Sequence, residues 1–315
     1  MNKNYFEVIR PGINTTFQDQ GRNSLYHIGI PFSGVMDNRN FLIANKLVGN
    51  EFNFPVIEFA YQGPQLKYFG DKINISITGD VKFTLKKSSN VIDGTCYKSF
   101  TLENEDELDI ISTNKSVYGY LAIGGELDVK YQWSSCSTNT KANIGANDGK
   151  KLAINQKINI LKINENLSHK NLNYVNTKIE NIRVIKGTNF DYFSENGKDI
   201  FFKKEFTVSK LSDRMGMRLE GPQIENIVDT NIKSEGLIKG VIQVPADGNP
   251  IIMLSDHGTI GGYPKIGVVI SADYDRLVQL TPGSEIKFKE IDLSNAETLF
   301  KLYELETQNL LSQIK

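Results

Sequence analysis

The segments Gln243-Val244-Pro245-Ala246-Asp247-Gly248 and Asp256-His257-Gly258-Thr259-Ile260-Gly261-Gly262-Tyr263-Pro264-Lys265 crowd an acid, an imidazole, a phenol, an ammonium and paired glycines into one stretch. Gly261 and Gly262 have no Cβ, so their backbone N–H groups can approach a ligand closely. Tyr263 can donate to a developing oxyanion, and Lys265 can neutralise a phosphate or carboxylate. Asp256 or His257 can move a proton, the imidazole being suited to neutral pH. Gln243 can orient an amide-like substrate. The same residues also read structurally, as a Gly-Gly hairpin followed by a proline-limited strand, with Gln243 satisfying strand ends. Both readings stay open at this level.

Two further segments mix charge with glycine. Thr15-Thr16-Phe17-Gln18-Asp19-Gln20-Gly21-Arg22 leads to Gly29-Ile30-Pro31-Phe32-Ser33-Gly34-Val35-Met36-Asp37. The planar fork of Arg22 suits a carboxylate or phosphate, or a structural acid nearby. Asp37 is a candidate base or substrate contact, yet an Asp before a helix is ordinarily its N-cap, and that role is preferred. Ser212-Asp213-Arg214-Met215-Gly216-Met217-Arg218 puts opposite charges side by side before Met-Gly. This suggests a tight turn that presents both Asp213 and Arg214, or a salt bridge between two halves of the chain. Cys136 lies beside hydroxyl residues with no histidine near it in sequence, which argues against a nucleophile.

Short strands must carry most of these groups. Ile73–Thr78 alternates apolar and polar residues, as a strand with one buried face does. Similar runs occur at 116–123, 157–163, 182–185, 240–244, 251–254 and 286–291. Asp37 can cap a helix reaching about Val48, with Gly49 as its stop. Ser294 and Glu297 form a capping-box pattern before a predicted helix over Ala296–Gln313, whose stripe is Leu299, Leu302, Leu310 and Ile314. An internal echo links Val8-Ile9-Arg10 to Val184-Ile185-Lys186, the Ser33–Asp37 stretch to Ser212–Gly216, and Glu58–Leu66 to Arg218–Ile224. The expected fold is mainly β, two related β-barrel subdomains packed together, with few helices. The expected domains are residues 1–175, residues 176–291 and a C-terminal helix at 292–315.

Composition removes several classes. With 36 Lys plus Arg against 37 Asp plus Glu, the net charge of −1 gives no basic excess for binding nucleic acid. No P-loop, no G-x-G-x-x-G after a strand and no G-x-S-x-G elbow is present. The three histidines form no zinc pattern, so no metal site is assigned. Two cysteines, Cys96 and Cys136, are too few for a disulfide scaffold. No stretch suits a membrane span or a signal peptide, so the chain is expected in the cytoplasm. There is no Met-Lys-Met, and no covalent biotin is expected on this chain.

Residues from about Ile9 to Phe288 resemble the biotin-dependent carboxyltransferase family, subdomains A and B. The resemblance rests on P-G-x-x-T-T-x-Q-D-x-G-R at Pro11–Arg22, P-x-S-G-x-M-D at Pro31–Asp37 and S-D-R-M-G-x-R-L-x-G-P at Ser212–Pro222. It rests also on I-Q-V-P-x-D-G at Ile242–Gly248 and G-G-Y-P-K-I at Gly261–Ile266. Where the family usually shows G-S-R-S-T-D, this chain has Ser134-Ser135-Cys136-Ser137-Thr138-Asn139. The resemblance implies cyclophilin-like barrels. It also implies the C-subunit of a 5-oxoprolinase-type complex, which opens 5-oxoproline to glutamate using ATP with Mg²⁺ together with its companion A and B subunits. On that reading Asp213, Asp256, Tyr263 and Lys265 are catalytic, and Arg22, Asp37, Arg214, Gln243, His257, Gly261 and Gly262 bind substrate. Two alternatives are carboxyl transfer from carboxybiotin to urea or a related amide, and a non-catalytic partner of a kinase-inhibitor-like protein.

Overall fold

The run at Ile73–Thr78 forms the strand that its alternation predicts, but all six of its residues are buried. The apolar side, Ile73, Ile75 and Ile77, joins a core with Phe6, Phe59, Tyr68 and Phe83. The polar side lies under helix α1 (Asn38–Leu47), where Ser76 Oγ donates to Ala44 O at 2.7 Å and Thr78 Oγ1 to Asn40 O at 2.8 Å. Alternation thus records two different partners rather than core and water, because short hydroxyls can be buried when they satisfy helix carbonyls.

This computed structural model describes residues 3–88, 90–174, 177 and 179–314. The chain divides into two compact units. Met1–Arg22, Ser33–Asn176 and Thr307–Lys315 form the first, and Asn23–Phe32 with Thr177–Glu306 the second. The expected boundary between 175 and 176 falls on residues outside those described.

In the first unit a seven-stranded sheet has the order Gly125–Leu127, Lys157–Ile163, Tyr5–Arg10, Gln65–Phe69, Glu107–Thr113, Val81–Lys87, Asn90–Asp93. A five-stranded sheet has the order Thr16–Gln18, Val56–Ala60, Tyr118–Ile123, Ile73–Thr78, Ser99–Leu102. Both sheets contribute to one apolar cluster, Phe6, Val8, Leu66 and Ile158 from the first and Phe17, Ile57, Ile75 and Leu121 from the second. This unit is therefore two sheets over one core, whereas the sequence suggested a barrel. Period-2 patterning assigns faces, but it does not say which strand closes on which.

The second unit is a closed barrel of seven strands: Asn181–Lys186, Lys265–Val269, Val241–Gln243, Ile251–Met253, Gly216–Glu220, Phe206–Val208 and Glu285–Glu290. Closure is made by the parallel pairing of Asn181–Lys186 with Glu285–Glu290. Helix α2 (Glu195–Lys203), capped by Ser194, stacks Phe201 on Phe288 at 4.4 Å between ring centroids. Helix α3 (Ser271–Leu277) follows the Lys265–Val269 strand.

The last helix, α4 (Leu293–Gln313), begins earlier than predicted and uses another cap. Asp292 Oδ1 accepts from Asn295 N at 2.8 Å, so the cap is Asp292 and not Ser294. Its buried stripe also differs from the predicted one. Ala296, Leu299 and Tyr303 pack with Ile270 and Ala272 in the second unit, while Leu310, Leu311 and Ile314 pack with Ile43, Leu47 and Leu172 in the first. Leu302 is exposed, because it stands one position off the face defined by 296, 299 and 303. No helix among the described residues is long and apolar enough to cross a membrane.

Candidate functional site

In the second unit the Asp213-Arg214 turn forms, and its two charges part company. Asp213 Oδ1 accepts from Met215 N at 2.8 Å and Gly216 N at 3.3 Å, so this exposed carboxylate closes its own turn. Arg214 turns the other way and grips Asp256 with two bonds, Nε to Oδ2 at 2.8 Å and Nη2 to Oδ1 at 3.1 Å. Both side chains are largely withdrawn from water, 13% and 4% exposed, which makes this a fork-to-fork pair of low dielectric. Asp256, an acid of the same unit, stands 42 positions from Arg214 in the sequence.

The next residue, His257, is buried at 1% exposure. Its Nδ1 lies 2.6 Å from Gly258 O, a partner that can only accept. The ring therefore carries its proton on Nδ1, which leaves Nε2 to accept from the Tyr26 hydroxyl at 3.2 Å. Burial holds this imidazole below the ordinary histidine range, against the opposing pull of the Gly258 carbonyl. A neutral imidazole paired with a phenol is a proton acceptor and donor side by side.

Further along, Ile260–Gly261 pairs with Glu235–Gly236 as a short two-stranded ladder. Gly261 packs closely against side-chain tips: a Cβ there would come within 2.7 Å of Gln243 Nε2 and 2.8 Å of Leu237 Cδ1, so both would have to shift. Gln243 Nε2 donates to Tyr263 O at 3.1 Å, fixing the chain just before Pro264. The carbonyl of Gly262 accepts from Ile232 N at 2.9 Å. The buried Lys265 reaches Glu235 Oε2 at 2.6 Å, and that bond pulls the Glu235 carboxyl below its usual range. Tyr263 is 39% exposed, and its hydroxyl has no partner among the described residues.

In the first unit, Arg22 and Asp37 are built into local networks. Arg22 Nε donates to Gln132 O at 3.2 Å and Nη2 to Ser135 O at 3.3 Å. Asp37 caps α1, accepting from Asn40 N at 2.9 Å, while its own N–H donates to the Tyr120 hydroxyl at 2.8 Å. Beside Arg22 lies Asp19, whose carboxylate accepts from Ser135 Oγ at 2.6 Å, Ser137 Oγ at 2.6 Å, Cys136 N at 2.8 Å and Gly21 N at 2.9 Å. Gln18 Nε2 adds a bond to Thr138 O at 2.8 Å, and Asn139 Nδ2 one to Ser33 Oγ at 3.1 Å. Ser134, at the usual glycine position of the family, holds φ of 60°, a backbone state that glycine adopts at no steric cost. Cys136 is fully buried, and burial pushes its thiol well above the ordinary range. That suits packing and not attack.

The structure thus joins Arg214, Asp256 and His257 in one group, and Gln243, Gly261, Tyr263 and Lys265 in another along the same unit. Sequence reasoning missed Tyr26, Glu235 and Asp19. Tyr26 stands 231 positions from His257, with no spacing signal to link them. Asp19 had one, since an Asp two residues before a glycine is the pattern of an Asx turn. Among the described residues no three His, Cys, Asp or Glu side chains are grouped to hold a metal.

These features coincide with one known class of domain. The model of the family described as "Carboxyltransferase domain, subdomain A and B" matches residues 28–290, and the chain belongs to that family. Among individual proteins, the 5-oxoprolinase C-subunit of Escherichia coli is 31% identical over 299 residues, which span 92% of this chain and 92% of that one. Its namesake from Haemophilus influenzae is 30% identical, covering 95% of both chains. The crystal structure of the K. lactis urea amidolyase superposes with a TM-score of 0.88 at 27% identity, over 98% of this chain and 20% of that one. These relatives are parts of enzyme systems, and the fold shared with them is mainly β.

Proposed function

We propose that this chain is the C-subunit of a 5-oxoprolinase-type complex, which hydrolyses 5-oxoproline to glutamate with ATP in the cytoplasm, together with its companion A and B subunits. The observation that carries the reading is the two-way match: 31% identity runs through 92% of both chains, whereas the urea amidolyase likeness occupies 20% of a larger protein. Ring opening breaks the lactam C–N bond, puts the oxygen of water on the carbonyl carbon and its protons on the leaving amine. An unactivated lactam resists this, so the reaction needs a polarised carbonyl and a placed proton carrier. On this chain the free Tyr263 hydroxyl suits the first task, and the Tyr26–His257 pair, neutral with a basic Nε2, suits the second.

ATP and Mg²⁺ fit this chain poorly. The three cations among the candidate site residues are engaged, Arg22 on backbone carbonyls, Arg214 on Asp256 and Lys265 on Glu235. No phosphoryl step is therefore assigned to these residues, and the nucleotide is referred to the companion subunits. A second reading, carboxyl transfer from a biotinylated partner to urea or a related amide, is favoured by the family description and the urea amidolyase superposition.

The test is reconstitution of this chain with companion subunits, 5-oxoproline and Mg-ATP, following glutamate and ADP. Turnover that needs every component supports the proposal, and Tyr263→Phe should then lower kcat about tenfold or more. A stable complex that releases neither product sinks it, and carboxyl transfer becomes the reading to pursue.

A further inference from the structure

Arg22, Arg214 and Lys265 are engaged, but Lys239, which lies outside the motifs, has no ion-pair partner among the described residues. Lys239 sits between Leu237 and the barrel strand Val241–Gln243, half-buried in the second unit. Its ammonium lies 4.3 Å from the centroid of the Tyr274 ring and 5.6 Å from that of Phe32. No carboxylate among the described residues reaches it within ion-pair distance, and no acceptor among them bonds its three donors. The acid nearest in electrostatic effect, Asp275, is bonded by the Tyr303 hydroxyl. Lys239 shares its surroundings with the residues grouped above: its charge is felt by His257, and that of Arg214 by Lys239. Aromatic faces attract an ammonium but accept none of its hydrogen bonds in full. An ammonium partly withdrawn from water beside two aromatic faces gains when an anion accepts its hydrogen bonds.

We propose that Lys239, framed by Phe32 and Tyr274, is the anion-binding residue of the second unit, and that its ligand is the carboxylate of a small substrate. The placement is chemically selective. Arg214, locked on Asp256, adds positive potential without offering its own fork. Burial lowers the affinity of Lys239 for its proton, with Arg214 acting in the same direction and Asp275 against it, so the amine is also unusually open to acylation when no anion covers it. Under the oxoprolinase reading, on which the identity of the ligand rests, this carboxylate is the one carried by 5-oxoproline, and Lys239 fixes the lactam by the group that does not react.

The experiment is a footprint on the full chain. The purified protein is treated with a lysine-acetylating reagent, and the peptide containing Lys239 is quantified by mass spectrometry. It is run alone, with 5-oxoproline, with 2-pyrrolidinone (the same lactam without a carboxylate), and with bicarbonate or acetate. Acetylation of Lys239 should slow about tenfold in saturating 5-oxoproline and stay unchanged in 2-pyrrolidinone. In calorimetry Lys239→Met should weaken 5-oxoproline binding about tenfold or more, and Lys239→Arg should restore most of it. Equal protection by both lactams, or none by any carboxylate, overturns the assignment. Protection by bicarbonate or acetate but not by 5-oxoproline keeps the anion site and counts against the oxoprolinase reading instead. Because the footprint is read on the unaltered chain, misfolding of a variant cannot decide the matter.

Discussion

The two units treat their polar motif residues in opposite ways. In the first, Asp19 is buried at 1% exposure and accepts four hydrogen bonds, three of them from the Ser135–Ser137 loop. Arg22 and Gln18 extend the same knot to Gln132, Ser135 and Thr138. In the second unit the motif charges meet in pairs, Arg214 with Asp256 and Lys265 with Glu235, and some polar groups keep spare capacity. Glu235 is 45% exposed, Tyr263 has a free hydroxyl and Lys239 has no counter-ion among the described residues. A densely bonded buried network rigidifies a loop, even with Gln18 Oε1 buried and without a hydrogen-bond partner among the described residues, whereas pairs with spare capacity can still bind something. The first unit commits its polar residues to shape, and the second keeps some of them for chemistry.

The sharpest way to break that contrast is to remove Asp19. Asp19→Ala strands two hydroxyls and two backbone N–H groups, each costing about 1–3 kcal/mol when buried and unpaired. The summed loss should be roughly 3 kcal/mol or more after relaxation, lowering the first unit's calorimetric midpoint by roughly 6–12 °C. An unchanged midpoint would mean that the knot is not what holds the loops. In the second unit Arg214→Met leaves Asp256 nearly buried without its fork. A loss of about 2–3 kcal/mol is expected there, less than for a fully enclosed pair because Arg214 touches water. It should appear in the transition of the second unit and not in that of the first.

Acid sharpens the contrast further. The folded His257 pKa lies below its unfolded value, so the unfolded chain binds the proton first. The stabilisation is complete above the unfolded value, near pH 6.5, and is lost progressively as pH falls from there through the folded pKa. Chemical denaturation between pH 7 and 5 should show the second unit weakening, and His257→Gln should flatten that slope. A slope that survives the substitution assigns it to another group. The smallest effect belongs to Glu235→Gln. This pair stands at a half-exposed edge, so water screens it, and a change below about 1 kcal/mol is expected. A larger loss would show that the Glu235–Gly236 ladder depends on Lys265.

Much of this could be read before folding was considered. The Asp37 cap followed from Asp at the head of an apolar-periodic run, because capping is local and needs only neighbouring N–H groups. The strands at Ile73–Thr78, Tyr118–Ile123 and Lys157–Ile163 followed from alternation and flanking turns. The cap of α4 was misplaced at Ser294 because Asp292 offers the same local chemistry two residues earlier. Side-chain partners were less legible. Gly261-Gly262 read as an opening for a ligand, yet Gln243 fills the space beside Gly261.

The sequence by itself determined the family, through several motifs in fixed order, and the class of fold, through strand periodicity that each short segment carries alone. Only the tertiary structure decided which charge meets which. It set Arg214 on Asp256, Lys265 on Glu235 and Tyr26 on His257, and it left Lys239 facing two rings. Such pairings join residues tens to hundreds of positions apart, and their energies depend on burial and on distances of a few ångströms. Neither quantity exists along an unfolded chain.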